Sequence, residues 1–386
     1  MKLHSNLLNG IVEILEISFG GTMYADKVLE KALKLNKKWG SRDRSFVAHH
    51  TYEIIRWWRL LWFLKGEDPS LKKDKLFELF EFYWKWAMEK TISTPNDLPI
   101  GVIESYPIWL DEKASMELGE NWPILASSLN IQANVVLRTN TLKISREQLL
   151  LRLVQEDIEA KSSTITSEAI TLINRRKLKN LQSFKSGLFE IQDGGSQLIS
   201  NFLDPMPGDK IMDCCSGAGG KALSLASKMK NIGDILCVDR ESSKIKELEI
   251  RAMRAGATCI RTHLLFETEE LNKYSGWPDK MLLDVPCSGT GVIRRDVDIK
   301  WKLKPEYLER TLELQQEILK NYSKLLKAGG LLVYATCSIL KSENEMQIIK
   351  FLELNSESFE LKHQERLSPL NIDSDGYYVA VLRKKI

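Results

Sequence analysis

The 386-residue sequence has no Cys-x-x-Cys pair among its six cysteines, and no apolar run that approaches the roughly 20 residues needed to cross a bilayer. Its first apolar stretch, Leu7 to Ile17, is broken by Glu13 and Glu16. A membrane protein is therefore excluded, and free thiols in a reducing compartment are expected rather than a disulfide framework. No secretory signal is read at Met1-Lys2-Leu3-His4, so the expected location is the cytoplasm. Excess charge is also scarce: a net +3 and a pI near 8.3 permit nucleic-acid binding without demanding it. No internal repeat or low-complexity tract occurs, and no metal site is expected. What remains is a chain that is 43% hydrophobic and long enough for two or three domains, each with its own core.

Eight of the ten tryptophans precede residue 123, and glycine-rich turns are missing there after Gly20-Gly21. Apolar residues at helical spacing in 24–35, 44–64 and 76–88 predict an all-helical domain over 1–128, with Trp57, Trp58 and Trp62 packed in its core. Pro95, Pro99, Pro107 and Pro123 punctuate the region before the boundary. Val135 to Arg138 then reads as a strand and Ser145 as the cap of a helix from Arg146 to Val154. A small α+β module over 129–183 follows from these. From Gly208 onward apolar runs alternate with helical patterns. Strands are predicted at 210–213, 234–239, 258–262, 280–284, 330–336 and 377–382, and helices at 221–229, 242–255, 305–326 and 342–354. This is a doubly wound α/β domain over 184–386, whose ligands bind beyond the carboxyl ends of the strands.

After the first of these strands comes Asp213-Cys214-Cys215-Ser216-Gly217-Ala218-Gly219-Gly220-Lys221, where glycines let the backbone approach a ligand closely. Asp239 ends the second strand, placed to accept both hydroxyl protons of a ribose. Spacing alone also matches a nicotinamide-dinucleotide fingerprint, Gly217-x-Gly219-x-x-Ala222 with Asp239. Two strand-end cysteines favour a methyl donor instead: Cys287 in Asp284-Val285-Pro286-Cys287-Ser288-Gly289, and Cys337 in Tyr334-Ala335-Thr336-Cys337-Ser338. S-adenosylmethionine is the cofactor expected on Cys215, Ser216, Gly217, Ala218, Gly219, Gly220, Lys221, Asp239 and Asp284.

An unactivated pyrimidine carbon is alkylated only after a thiolate adds to its ring. A free cysteine has a pKa of about 8.5, so such a thiol needs an activating neighbour. One thiolate adds to C6 of cytosine and makes C5 nucleophilic; after methylation a base removes the C5 proton, and a second thiol helps to expel the first. Addition is easier when N3 is protonated or hydrogen-bonded, and Asp284, three residues before Cys287, is placed to meet the base edge or the bound cofactor. Cys214, Cys237 and Cys259 are expected to be small buried hydrophobes.

At these residues the chain resembles Sun/NSUN-type RNA (cytosine-C5) methyltransferases, and most of all the bacterial small-subunit ribosomal RNA enzymes with a NusB-like helical domain. Gln192-Asp193-Gly194-Gly195-Ser196-Gln197, Cys215 to Lys221, Asp284 to Gly291, Thr336-Cys337-Ser338 and Asp375-Gly376-Tyr377-Tyr378 are similar to successive motifs of that family's catalytic domain. Leu137-Arg138-Thr139-Asn140-Thr141 resembles the start of its RNA-recognition module. Ser41-Arg42-Asp43-Arg44 with Tyr52 and Arg56 resembles its helical domain. The resemblance implies a Rossmann-like class I methyltransferase domain preceded by an α+β RNA-recognition module and a NusB-like domain. It also implies that Cys337 attacks C6, that Cys287 assists product release, and that Lys221 and Asp284 line the site between cofactor and base. The chain departs from the family at Ala218, where proline is usual, and at His263, where an aspartate would touch the adenine amino group.

Arg294-Arg295-Asp296 and Lys300-Trp301-Lys302 follow the proline-cysteine motif and read as a flexible basic segment with one aromatic beside the target pocket. Arg294, Arg295 and Lys300, with Arg138, Gln192 and Ser196 from the motifs above, are the expected RNA contacts. The target cytosine must be unpaired or flipped. The expected partner is RNA, ribosomal RNA foremost with transfer RNA as the alternative, and the expected state a monomer. Competing readings are a noncatalytic RNA-binding assembly factor, against which the intact Cys287, Cys337, Lys221 and Asp284 weigh, and a dehydrogenase.

Overall fold

The computed structural model describes residues 5–95 and 97–386. Among these the chain divides into two units. One comprises the described residues of Met1–Gln132 together with Val292–Glu306; the other comprises Ala133–Gly291 and Tyr307–Ile386.

The first unit is helical, with main helices at Ser5–Gly20, Ala25–Leu35, Ser41–Arg56, Trp58–Lys65, Lys73–Ala87 and Ile108–Leu118. Its core gathers one face of each of the first five: Ile11, Leu15, Val28, Val47, Ile54, Leu61, Trp62, Leu76 and Phe80. Trp58 and Trp62 are buried there as predicted, and Trp57 packs against the same cluster. Truncating a buried tryptophan of this kind costs about 3–5 kcal/mol. The segment Val292–Glu306, which lies within the expected 184–386 domain, packs with these helices instead. Val297 enters their core, Asp298 accepts a 2.6 Å hydrogen bond from the Ala25 amide, and Trp301 Nε1 donates to the Ile55 carbonyl at 2.8 Å.

The second unit contains two sheets. Strands β1 (Val136–Thr139), β2 (Ala160–Ser162), β3 (Ala169–Leu172) and β4 (Phe189–Ile191) form an antiparallel sheet in the order β2-β3-β1-β4. The fourth strand lies beyond residue 183, where the α+β module was expected to end. The helix Arg146–Gln155 packs Leu149 and Leu153 beneath the sheet, and Ser145 caps it in a reciprocal box with Gln148, a feature worth ~1 kcal/mol.

The larger sheet is built from β5 (Lys210–Asp213), β6 (Asp234–Asp239), β7 (Ile260–Leu264), β8 (Lys280–Asp284), β9 (Leu331–Thr336), β10 (Phe359–Leu367) and β11 (Tyr377–Lys384). Its order is β10-β11-β9-β8-β5-β6-β7, parallel from β9 to β7, with β11 antiparallel to both neighbours. Two apolar layers sandwich it, one around Ile211, Leu282 and Val333 and the other around Met212, Leu283 and Tyr334. Burial on both faces explains why β5, β6, β8 and β9 read as near-continuous apolar runs. The chain winds outward from β5 through β6 to β7, then returns to β8 on the other side of β5. Strand order therefore reverses between β5 and β8, and the crevice beyond their carboxyl ends is where such a sheet holds its ligand.

Candidate active site

The turn after β5 and the segment after β8 meet at that crevice. Gly217 and Gly219 adopt left-handed φ values of +52° and +82°, and a Cβ on Gly219 would come within 2.6 Å of the Leu248 side chain, so only glycine fits there. Asp239, at the end of β6, ties the turn down by accepting from the Gly217 amide at 2.8 Å through Oδ2. Its Oδ1 accepts from the Glu241 amide at 2.9 Å. Ala218 stands without the ring of the family's proline, but its carbonyl accepts from Arg251 at 2.7 Å, which holds the turn from outside.

A cavity of about 390 Å³ opens between these elements. Of the residues expected to bind the cofactor, Cys215, Asp239 and Asp284 line it; Ser216, Gly217, Ala218, Gly219, Gly220 and Lys221 form the turn and do not. The remaining walls are apolar at Leu265, Val285, Pro286, Leu314 and Ile318, with Arg240, Glu317, Asn321 and Tyr322 at the polar positions. A carboxylate at the second strand's end, facing apolar walls of this size, suits a ribose and its purine, so the residues fit an adenosyl group. His263 does not line the cavity: its Nε2 pairs with Glu270 at 3.0 Å, and Leu265 and Thr268 occupy the wall past β7.

Lys221 Nζ meets Asp284 Oδ2 at 2.5 Å across the crevice. Burial works against the lysine's charge, but the Asp284 carboxylate outweighs it and holds the ammonium above its ordinary pKa, with the charges of Cys337 and Asp213 adding to the effect. Asp213 is fully buried; burial, with Asp284's charge beside it, pushes its carboxyl up to about 7, and among the described residues its Oδ1 finds no hydrogen-bond partner. Nothing in the sequence distinguishes that aspartate from an ordinary strand end.

Cys287 and Cys337 come together, with sulfur atoms 3.2 Å apart and both side chains partly buried. The hydrogen bond to Cys337 and then burial raise the Cys287 thiol well above the ordinary range. The loops that carry them are locked to each other. Gly291 donates to the Cys337 carbonyl at 2.9 Å and accepts from Gly376 at 2.8 Å, and a Cβ on Gly291 would fall 2.0 Å from the Gly376 oxygen. The proline-cysteine, nucleophile and closing motifs thus converge at one glycine. Cys237 and Cys259 pack in one apolar layer as expected, while Cys214, also buried, lies in the other and touches the cavity.

The expected RNA contacts divide differently. Lys300 is no solvated phosphate ligand: it is 0% exposed, and its ammonium donates to Asn130 Oδ1 at 2.6 Å and to the Glu104 and Ser105 carbonyls at 3.0 and 3.2 Å. Burial, followed by the nearby Arg56 charge, pushes its pKa well down. Arg294 is likewise buried, with Nε directed at the Ile131 carbonyl at 3.3 Å, whereas Arg295 keeps part of its surface. The 292–306 segment is therefore an ordered internal element, and the flexible basic loop read from its charges is corrected. Arg138 is also interior: its Nε donates to Gln192 Oε1 at 2.6 Å, and burial lowers its pKa to about 10. Gln192 in turn donates to Ser196 Oγ at 3.2 Å, so these three form one chain, of which Ser196 retains exposed surface.

The comparisons with known proteins agree with this architecture. A family model described as 16S rRNA methyltransferase RsmB/F matches residues 200–383, and one for the ferredoxin-like domain of RsmF/B-like methyltransferases matches residues 106–179. The chain is 30% identical to the probable ribosomal RNA small subunit methyltransferase B of Synechocystis over 76% of its own length and 70% of the relative's. It is 32% identical to the probable enzyme of the same name from Bacillus subtilis over 64% of its length, and that match spans 59% of the relative. Among solved structures, PH0851 superposes with a TM-score of 0.81 at 22% identity, covering 99% of each chain. A methyltransferase homologue from Pyrococcus horikoshii superposes with a TM-score of 0.66 at 26% identity, over 76% of this chain and all of that one.

Proposed function

Because the chain belongs to the RsmB/F family of 16S rRNA methyltransferases, we propose that it methylates C5 of a cytosine in 16S ribosomal RNA through Cys337 and Cys287. The observation that carries this reading is the pair of thiols 3.2 Å apart, formed by the two cysteine motifs at adjacent strand ends. S-adenosylmethionine, the cofactor of this family, supplies an electrophilic methyl group.

Cys337 adds to C6, and the C5=C6 electron pair moves to C5, which then takes the methyl group. The Lys221 ammonium, fixed by Asp284, carries its positive charge within electrostatic reach of Cys337. Cys287 stays protonated while its sulfur shares a hydrogen bond with Cys337. Once Cys337 is a thioether, that bond and the competing sulfur charge are gone, so Cys287 can give up its own proton to solvent and act as a base in its thiolate form. It takes the C5 proton, the C–H pair restores the C5=C6 bond, and Cys337 leaves with the C–S pair. The cytosine reaches this cleft only when unpaired or flipped.

Cys337→Ala is expected to abolish methylation, and Cys287→Ala to trap a covalent protein–RNA adduct on a denaturing gel. Bisulfite mapping of cellular RNA with and without the protein names the nucleotide. Methylation by Cys337→Ala at the wild-type rate refutes the covalent route, and a mark on transfer RNA alone refutes the substrate.

A further inference from the structure

Glu343 is 0% exposed, has no cation among its hydrogen-bond partners in the described residues, and lies between the two cysteine loops. Its Oε1 accepts from the Ser288 backbone N–H at 2.7 Å and from Gln315 Nε2 at 3.1 Å. Its Oε2 accepts from the hydroxyls of Ser288 and Ser338. Ser288 directly follows Cys287, and Ser338 directly follows Cys337. Gln315 also donates to the Pro286 carbonyl at 2.9 Å, so the residue before Cys287 is gripped through the same knot. Thr290 Oγ1 closes it, at 3.1 Å from Ser288 Oγ and 3.0 Å from Ser338 Oγ, and accepts from the Ile339 amide at 3.1 Å.

A carboxylate stripped of water is expensive to bury, and four donors without a cation offset that cost only while all four stay in place. The network therefore has one well-defined geometry, and both thiols hang from it by a single residue each. We propose that Glu343 is a positioning residue which sets the spacing of the Cys287 and Cys337 sulfur atoms. The inference rests on the two-thiol reading above for its consequence: C5 and C6 are bonded neighbours, so the sulfur bound to C6 and the sulfur that takes the C5 proton must be held a few ångströms apart. Addition by Cys337 needs one thiol; release needs both in register. Loosening the knot slows release more than addition.

The test compares wild type with Glu343→Ala, Glu343→Gln and Ser338→Ala. The first measurement needs no RNA: the rate at which diamide links Cys287 to Cys337 in the full-length protein, read by peptide mass spectrometry. Intramolecular sulfur attack depends on effective concentration, so Glu343→Ala is expected to slow it at least fivefold, with Ser338→Ala and Glu343→Gln intermediate. Glutamine keeps an acceptor for the Ser288 amide and folds by the same shape, so it carries the test if alanine does not fold. The second measurement is covalent protein–RNA adduct per turnover, expected to rise at least fivefold while S-adenosylmethionine affinity stays within twofold. Linking within twofold of wild type in all folded variants, or adduct per turnover unchanged, overturns the proposal. Cys337→Ser in parallel separates the two ideas: methylation by that variant defeats the covalent mechanism, whereas the linking rate tests Glu343 regardless.

Discussion

Cys287 Sγ lies 3.2 Å from Cys337 Sγ, each just beyond the carboxyl end of one of two adjacent parallel strands, β8 and β9. A disulfide needs sulfur atoms about 2.05 Å apart, so a small approach suffices to close one. Diamide treatment of the wild-type protein is expected to oxidise this pair before the buried Cys237, to remove methyltransferase activity, and to be reversed by dithiothreitol. Peptide mapping checks the assignment; a protein that stays fully active after both thiols have reacted defeats it.

Lys221→Met removes the ammonium from the crevice and leaves Asp284 facing the cavity without the cation that pairs with it. We expect kcat to fall by about 10²–10³, which corresponds to ~2.7–4 kcal/mol of lost transition-state stabilisation. Adding Asp284→Asn should cost little more, because the two act as one unit. A kcat within threefold of wild type at saturating cofactor contradicts this role.

Asp213 makes stability depend on pH in a stated direction. Its carboxyl titrates near 7 when folded and near 3.8 when unfolded, so between these values the folded protein binds more protons. Stability therefore falls as pH rises through that window, and above pH 7 the penalty is complete, on the order of 4 kcal/mol. Asp213→Asn is expected to raise the thermal midpoint at pH 8 and to lose that advantage at pH 4. Equal midpoints for variant and wild type at pH 8 refute the assignment.

Lys300→Met should act on the helical unit and not on RNA charge. The ammonium satisfies Asn130 and two carbonyls in the interior, and its loss is expected to destabilise the protein by roughly 2–4 kcal/mol. Where the variant still folds, the salt dependence of its RNA binding should match wild type, while Arg295→Ala lowers the slope by about one unit. Paired salt titrations and thermal melts decide between the two effects.

Much of the large sheet was legible because its central strands are apolar on both faces. The bounds of β5, β6 and β8 agree with the apolar runs, and the helix Ser242–Ala255 follows its periodicity. Strand β10 was not legible: from Lys362 to Glu365 its side chains are charged or polar and exposed, as suits an edge strand, and it carries no apolar signature. The cysteine motifs announced themselves by residue type, but their contact across 50 positions is a product of strand order. Lys300 was misread because a lysine among basic neighbours looks solvated until the remote acceptors at Glu104, Ser105 and Asn130 are folded around it. Glu343 sits in Lys341-Ser342-Glu343-Asn344, a string indistinguishable from a surface turn.

Because Val297 and Trp301 are packed among the N-terminal helices, the catalytic half cannot be liberated by a single cut near residue 132. Such a fragment would carry an uncovered greasy tether between Gly291 and Tyr307 and would tend to precipitate. A soluble miniature enzyme calls for two excisions, with a short hydrophilic bridge in place of residues 292–306.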